Sequence, residues 1–248
     1  MSYDISHSTK NAKQYAKRYG TTDMWEDALE DSIPTYHVSG MSEPHLPVIL
    51  NEDPDNVNYL HWAFMPFEYA PQIKGKPMNT LLARDNRIFT DTSIYKNAAQ
   101  NRRCLVMLDG FFAEYKKDDM TFPFYVQLKT KEPFMVGGLW QTFTNPKDEV
   151  QTDTITLVTG PANKEMAWLN NEKPYTPESR MMFIVDKKDD ETWLHGSAEE
   201  AKALIKPLPD GLLDYYPCQP LKTVKRLHRM YLGNVPALLE KKRYKELD

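Results

Sequence analysis

The stretch RRCLVMLDGFFAEYKK (102–117) decides the fold. Residues 103–115 form the strongest strand signal in the chain, an apolar and aromatic run without helical spacing. FPFYVQLKT (122–130) alternates and pairs with it as a hairpin, with KKDDMT between them. Downstream, PFMVGGLWQTF (133–143), TDTITLVTG (152–160) and RMMFIV (180–185) read as further buried strands. Upstream, YLHWAFMPF (59–67) reads as another. Residues 34–57 hold four prolines among polar residues and read as extended chain and loops, and 68–80 as a loop.

Helical signals flank the strands. Ser8 or Thr9 caps a helix that stops at Gly20, and a short one covers 24–29. Others are expected at 93–101, at 189–194, and at 199–206 with Ser197 as cap. Pro161 suits the first position of a helix through Trp168, and Pro236 that of a final amphipathic helix. There is no βαβ rhythm, no repeat and no linker rich in Pro or Gly. The expectation is α+β: a single β-rich domain over 1–240, its curved, mostly antiparallel sheets barrel-like with flanking helices, and a helical tail at 241–248.

Composition excludes several functions. The net charge of -4 disfavours a nonspecific nucleic-acid coat, because phosphate affinity needs many Lys and Arg side chains. The basic clusters (Lys10, Lys13, Lys17 and Arg18; Arg84 and Arg87; Arg102 and Arg103; Lys222, Lys225, Arg226 and Arg229) read as solvated faces, though a local basic cleft stays open. Cys104 and Cys218 are too few for a disulfide framework or a zinc site and read as buried thiols. The six histidines show no metal-binding spacing, so no metal or other cofactor is expected. The chain has no signal-peptide core and no apolar run near 20 residues, so a cytoplasmic protein without membrane contact is expected. Trp62, Trp140 and Trp168 read as core. A P-loop, GxGxxG, GxSxG and HExxH are all absent.

The order of segments is more informative than any one of them. HWAFMP (61–66), LLARDNRIF (81–89), RRCLVMLDGFFAEYKK (102–117), GGLWQTF (137–143), ITLVTGPANKEM (155–166) and RMMFIV (180–185) follow one another as in the SOS-response-associated peptidase (SRAP) family, which the chain resembles over 1–240. DETWL (190–194), Tyr216–Pro217 and GNVPALLE (233–240) extend the likeness. The resemblance implies a single β-rich domain with a basic cleft for single-stranded DNA. It also implies capture of abasic sites by an N-terminal cysteine, whose amine and thiol close a thiazolidine on the opened sugar. A Glu, a His and an Asn-Ala-Arg motif assist, because imine formation and ring closure both move protons.

This chain departs from the family at the chemical residues. Ser2 stands for the cysteine, and a hydroxyl is a far poorer nucleophile near neutral pH. Leu82-Ala83-Arg84 stands for Asn-Ala-Arg, keeping the phosphate-binding Arg. Without gaps the family glutamate falls on Ala113. With one inserted residue, accommodated as a β-bulge, it falls on Glu114, the favoured choice. Counting from Thr159, the histidine falls on Asn170, which cannot shuttle a proton at neutral pH. NEKPYTPES (171–179) looks inserted before Arg180. The aromatic loop is represented by Phe67, Glu68 and Tyr69.

The resemblance therefore implies Ser2, Glu114 and Asn170 as catalytic positions, and Arg84, Leu82, Tyr69, Thr159 and Arg180 as DNA contacts. The expected function is DNA-damage association of a monomer, nucleoid-associated in the cytoplasm, binding single-stranded DNA with abasic sites with impaired covalent and autopeptidase chemistry. A non-catalytic module for a protein or another ligand is the alternative. An autoprotease using Ser2 is a third reading.

Overall fold

The computed structural model describes residues 3–7, 34–65, 80–145, 147–219 and 234–247. The helices expected at 8–19 and 24–29 lie outside them, as does nearly all of the 68–80 loop.

Five strands close a barrel: β3 (His45–Leu50), β4 (Asp53–Trp62), β6 (Arg103–Leu108), β9 (Phe134–Thr144) and β10 (Gln151–Pro161). Around the ring, β10 pairs in parallel with β4, and β4–β3, β3–β6, β6–β9 and β9–β10 are antiparallel. The expected barrel-like curvature thus closes completely, which removes most of the ring's free edges. β5 (Leu82–Arg84) and β11 (Arg180–Met182) extend the C-terminal end of β10, and β12 (Ile184–Val185) lies on β9.

The second sheet is antiparallel. It holds β1 (Asp4–His7), β2 (Thr35–Ser39), β7 (Gly110–Lys117), β8 (Met120–Leu128) and β13 (Leu213–Pro217), in the order β13-β8-β7-β1-β2. Short helices fill in: α1 (Asp85–Ile88), α2 (Lys96–Asn101), α3 (Lys164–Leu169), α4 (Asp190–His195) and α5 (Ala198–Leu204).

The decisive stretch is two strands rather than one. β6 belongs to the barrel and β7 to the second sheet, and the break is at Asp109. Cys104, Val106 and Leu108 join the larger core, shared with the second sheet; Leu105 and Met107 join a smaller core that includes Ile88, Ala98 and Trp193 from the helices. Burial on both faces explains the unbroken apolar run. Gly110 makes the turn possible, because a Cβ there would lie 2.4 Å from the Tyr125 hydroxyl oxygen. The β7–β8 hairpin forms as expected but closes more tightly, with Asp118 in the left-handed region (φ 53°) and Lys117 opposite Met120.

Other expectations are corrected. The proline-containing 34–57 segment is mostly strand: β2, β3 and part of β4. Burial of Leu46, Val48, Ile49 and Leu50 outweighs Pro47, and pairing with β6 begins only at Val48, past the proline. Pro161 ends β10, opposite Arg180, and does not open a helix. The cap is Asn163, whose side chain accepts from the Met166 amide at 2.9 Å, so α3 starts at Lys164. The 180–185 run splits at Phe183 as its partner changes from β10 to β9. The helix expected from Pro236, with the helical tail, is instead two 3-10 turns, Pro236–Leu239 and Lys245–Leu247. Between them the chain docks at the end of β13, through the Lys242 backbone N–H to the Pro217 carbonyl and the Tyr244 hydroxyl to the Cys218 carbonyl, both at 2.8 Å.

Candidate functional site

The C-terminal end of β10 gathers most of the expected residues. Leu157, Val158 and Thr159 run parallel to Leu82, Ala83 and Arg84 on one side, and Thr159 faces Met182 of β11 on the other. The LAR motif is therefore a short strand whose last residue, Arg84, is exposed, while Leu82 is half-buried and Ala83 fully buried. Arg84 precedes α1, on which Arg87 is also exposed.

Thr159 and Arg180 are expected as DNA contacts, but both are buried, at 0% and 3% exposure, too little for either to meet a strand directly. The Arg180 guanidinium is paired with Asp85 and donates to the Thr159 carbonyl, and the Thr159 hydroxyl donates to the Ala83 carbonyl at 3.3 Å. Arg180 thus ties together β11, β10 and the start of α1, and holds Arg84 in place from behind. Asp85 is the member missed in the sequence; its one signal is an acid directly after the LAR motif.

Asn170 ends α3, and its side-chain amide donates to the Arg180 carbonyl at 3.1 Å. The next residue, Asn171, sits in the left-handed region (φ 55°) and accepts from the Lys116 backbone N–H at 2.8 Å. This contact brings the end of α3 against β7, two residues from Glu114. The 171–179 segment is pinned as well. Tyr175 donates its hydroxyl to Asp210 at 2.8 Å, and Asp210 accepts from the Lys164 backbone N–H at 2.9 Å. These two bonds hold the Asp210 carboxyl below its ordinary range.

Glu114 is exposed on β7, opposite Pro123. The bulge expected beside it is absent: pairing runs in continuous register from Phe111–Val126 to Lys117–Met120. Phe111 and Ala113 therefore face the larger core, with Tyr115 packed against it, while Glu114 points to the opposite face. Ser2 and Tyr69 lie outside the described residues. Tyr3, the first residue described, is tied down just past the end of β2 by its carbonyl, which accepts from the Gly40 N–H at 2.7 Å.

Two further residues contradict their sequence reading. Trp62 and Trp140 are core, but Trp168 of α3 is 48% exposed and stacks on Tyr115. Arg103 is not on a solvated face; it is 2% exposed and donates to the Ala99 carbonyl at 2.7 Å and the Gln100 carbonyl at 3.0 Å, and to the Trp193 and Gly196 carbonyls. Cys104 and Cys218 are buried thiols, as expected. Among the described residues no cluster of three potential metal ligands occurs, and no helix is long and apolar enough to cross a membrane.

The fold has solved counterparts. A protein from Bacteroides thetaiotaomicron is similar over 97% of this chain and 100% of its own, with 23% identity and a TM-score of 0.79. A protein from Bordetella bronchiseptica is similar over 89% and 100%, with 17% identity and a TM-score of 0.70. A phage-related protein from the same organism is similar over 88% and 94%, with 16% identity and a TM-score of 0.60. At these identities the likeness is one of fold. No curated protein matches the chain. The model of the family described as SOS response associated peptidase (SRAP) matches residues 5–225, and the chain belongs to that family.

Proposed function

We propose that this chain is a DNA-damage-associated SRAP protein that binds single-stranded DNA carrying abasic sites, with its covalent crosslinking and autopeptidase chemistry impaired. The observation that carries the reading is an exposed Arg84 at the same end of β10 as Arg180, whose carbonyl commits the Asn170 amide. Arg84 stands where the family places its phosphate-holding arginine, at the tip of β5, on a base stiffened by Thr159 and the Arg180–Asp85 pair. Asn170 stands where the family places its histidine. An amide takes up no proton at neutral pH, and this one already donates to the Arg180 carbonyl. Ser2 brings no thiol to close a durable ring. In the unbulged register the family glutamate position falls on Ala113, which adds to the impairment, while Glu114 stays an exposed carboxylate on the other face of β7; half-buried Leu82 stands for the family's amide in the LAR motif, and Tyr69 is the stacking aromatic. In this reading the protein acts as a monomer, without a cofactor, on the nucleoid.

Fluorescence anisotropy with a labelled single strand containing one abasic site tests the binding. The expected result is binding at low salt that weakens steeply as salt rises. Arg84→Ala weakens it uniformly across sequences and lowers the salt slope by about one. No binding at low salt overturns the proposal in favour of a non-catalytic module for another partner. Denaturing electrophoresis tests the chemistry. A crosslink is expected only when borohydride traps the imine, and a heat-stable crosslink without borohydride overturns the impaired part.

A further inference from the structure

We infer that the ring stack of Trp168, Tyr115 and Tyr215, edged by Glu165, seats an unpaired base of the bound strand, guanine in preference to thymine. The inference rests on the single-strand reading above. Trp168 is 48% exposed, whereas Trp62, Trp140 and Trp193 are buried. Its indole lies nearly parallel to the Tyr115 ring, 22° apart with centroids at 4.6 Å. Phe124 meets it edge-on at 6.1 Å and Tyr215 leans against it at 5.9 Å. Three rings thus hold the indole while 48% of the residue stays in water. A flat ring already held in one orientation loses little freedom when a base stacks on it.

The platform adjoins the candidate site through α3, and on β7 it lies on the face opposite Glu114. Trp168 is two residues from Asn170 on α3, and Tyr115 follows Glu114 on β7. The surrounding charge selects the part of the strand that contacts it. Glu165 lies three residues before Trp168, hence on the same helix face; burial raises the pKa of the nearby Tyr215 hydroxyl, and the Glu165 carboxylate adds to it. One Glu165 oxygen accepts from the Asn163 amide at 3.3 Å. A carboxylate here repels phosphate, so the contact is with a base and not with the backbone. Among the bases, guanine offers two adjacent N–H donors on its Watson–Crick edge, which a carboxylate accepts together, and thymine offers one.

The test is a titration of the full chain with a labelled dT12 strand and with the same strand carrying one central dG, followed by anisotropy and tryptophan emission. Trp168→Ala is expected to weaken binding about tenfold and to abolish the emission quench, while Trp168→Phe retains most of both. The dG strand is expected to bind several-fold more tightly than dT12, and Glu165→Gln to erase that gain. Unchanged affinity in Trp168→Ala, with the wild type binding normally, overturns the inference and leaves the single-strand reading standing. Equal affinity for the two strands overturns the guanine preference. No binding by the wild type overturns both readings. An arginine-rich peptide that quenches Trp168 where the oligonucleotides do not overturns the inference in favour of a basic protein partner.

Discussion

Arg103 shows how much one side chain can do here. A buried guanidinium normally meets a carboxylate, yet this one donates to backbone carbonyls: Ala99 and Gln100 in the last turn of α2, and Trp193, Leu194 and Gly196 at the end of α4. Helix C-termini carry partial negative charge and unsatisfied carbonyls, so a planar, five-donor cation suits both ends at once. Burial lowers its pKa, but it stays charged at any ordinary pH. Arg103→Met is expected to cost about 3 kcal/mol in urea unfolding, because it orphans several buried acceptors. Arg103→Lys should recover only part of that, since an ammonium cannot span both helix ends. The two thiols make a second expectation. Burial raises the pKa of Cys104, and that of Cys218 to about 12, so neither is a thiolate near neutral pH. A thiol reagent at pH 8 should leave the native protein unlabelled and react with two equivalents in denaturant.

Among the elements, the β6–β7 corner joins the barrel to the second sheet. At Gly110 a Cβ would meet Tyr125, whose hydroxyl bonds Ser6 of β1 at 2.9 Å. Gly110→Ala is expected to destabilise by about 1–3 kcal/mol through overpacking, read as a lower Tm. The start of α5 carries a complete capping box. Glu200 N–H donates to the Ser197 hydroxyl at 3.2 Å, and Ser197 N–H donates to the Glu200 carboxylate at 2.8 Å. Ser197→Ala should cost about 1 kcal/mol. The Ser197 bonds hold the Glu200 carboxyl below its ordinary range. A group with a depressed folded pKa stabilises the protein above its unfolded pKa and loses that contribution as pH falls through the folded one. Glu200→Ala should therefore cost more at pH 7 than at pH 3 in parallel denaturant titrations, whereas the Ser197→Ala penalty should vary less with pH, because alanine keeps the backbone N–H that binds the carboxylate.

For the whole molecule, burial ranks the parts. β6 is buried at every position, and β3 and β9 flank it. The docked 234–247 segment is held by side-chain bonds at its ends, such as Asn234 to the Tyr36 N–H at 2.6 Å and to the Pro34 carbonyl at 2.8 Å. Native-state hydrogen exchange should show β6 and β9 amides opening only with global unfolding, and those near Pro236–Leu239 exchanging far sooner. Similar protection in both regions would contradict this ranking.

The amino-acid sequence alone determined the segments that speak locally. The β7–β8 hairpin, the β9 and β10 strands, the Ser197 cap and the order of family segments follow from residues close together in the chain, where periodicity and turn chemistry act. The LAR motif and the Thr159-to-Asn170 count likewise named residues that the fold brings to one end of β10. Tertiary structure decided the rest. It split the longest strand at Asp109, turned a proline-containing stretch into barrel wall, and kept Glu114 in plain register. It also buried Arg103 and Arg180 while leaving Trp168 in water. In each case the deciding partner is far away in sequence: Tyr125 against Gly110, β6 against β3, Asp85 against Arg180, Tyr115 beneath Trp168. Local propensity is weak, and the free energy of burial and of a satisfied buried charge is settled only when those distant groups meet.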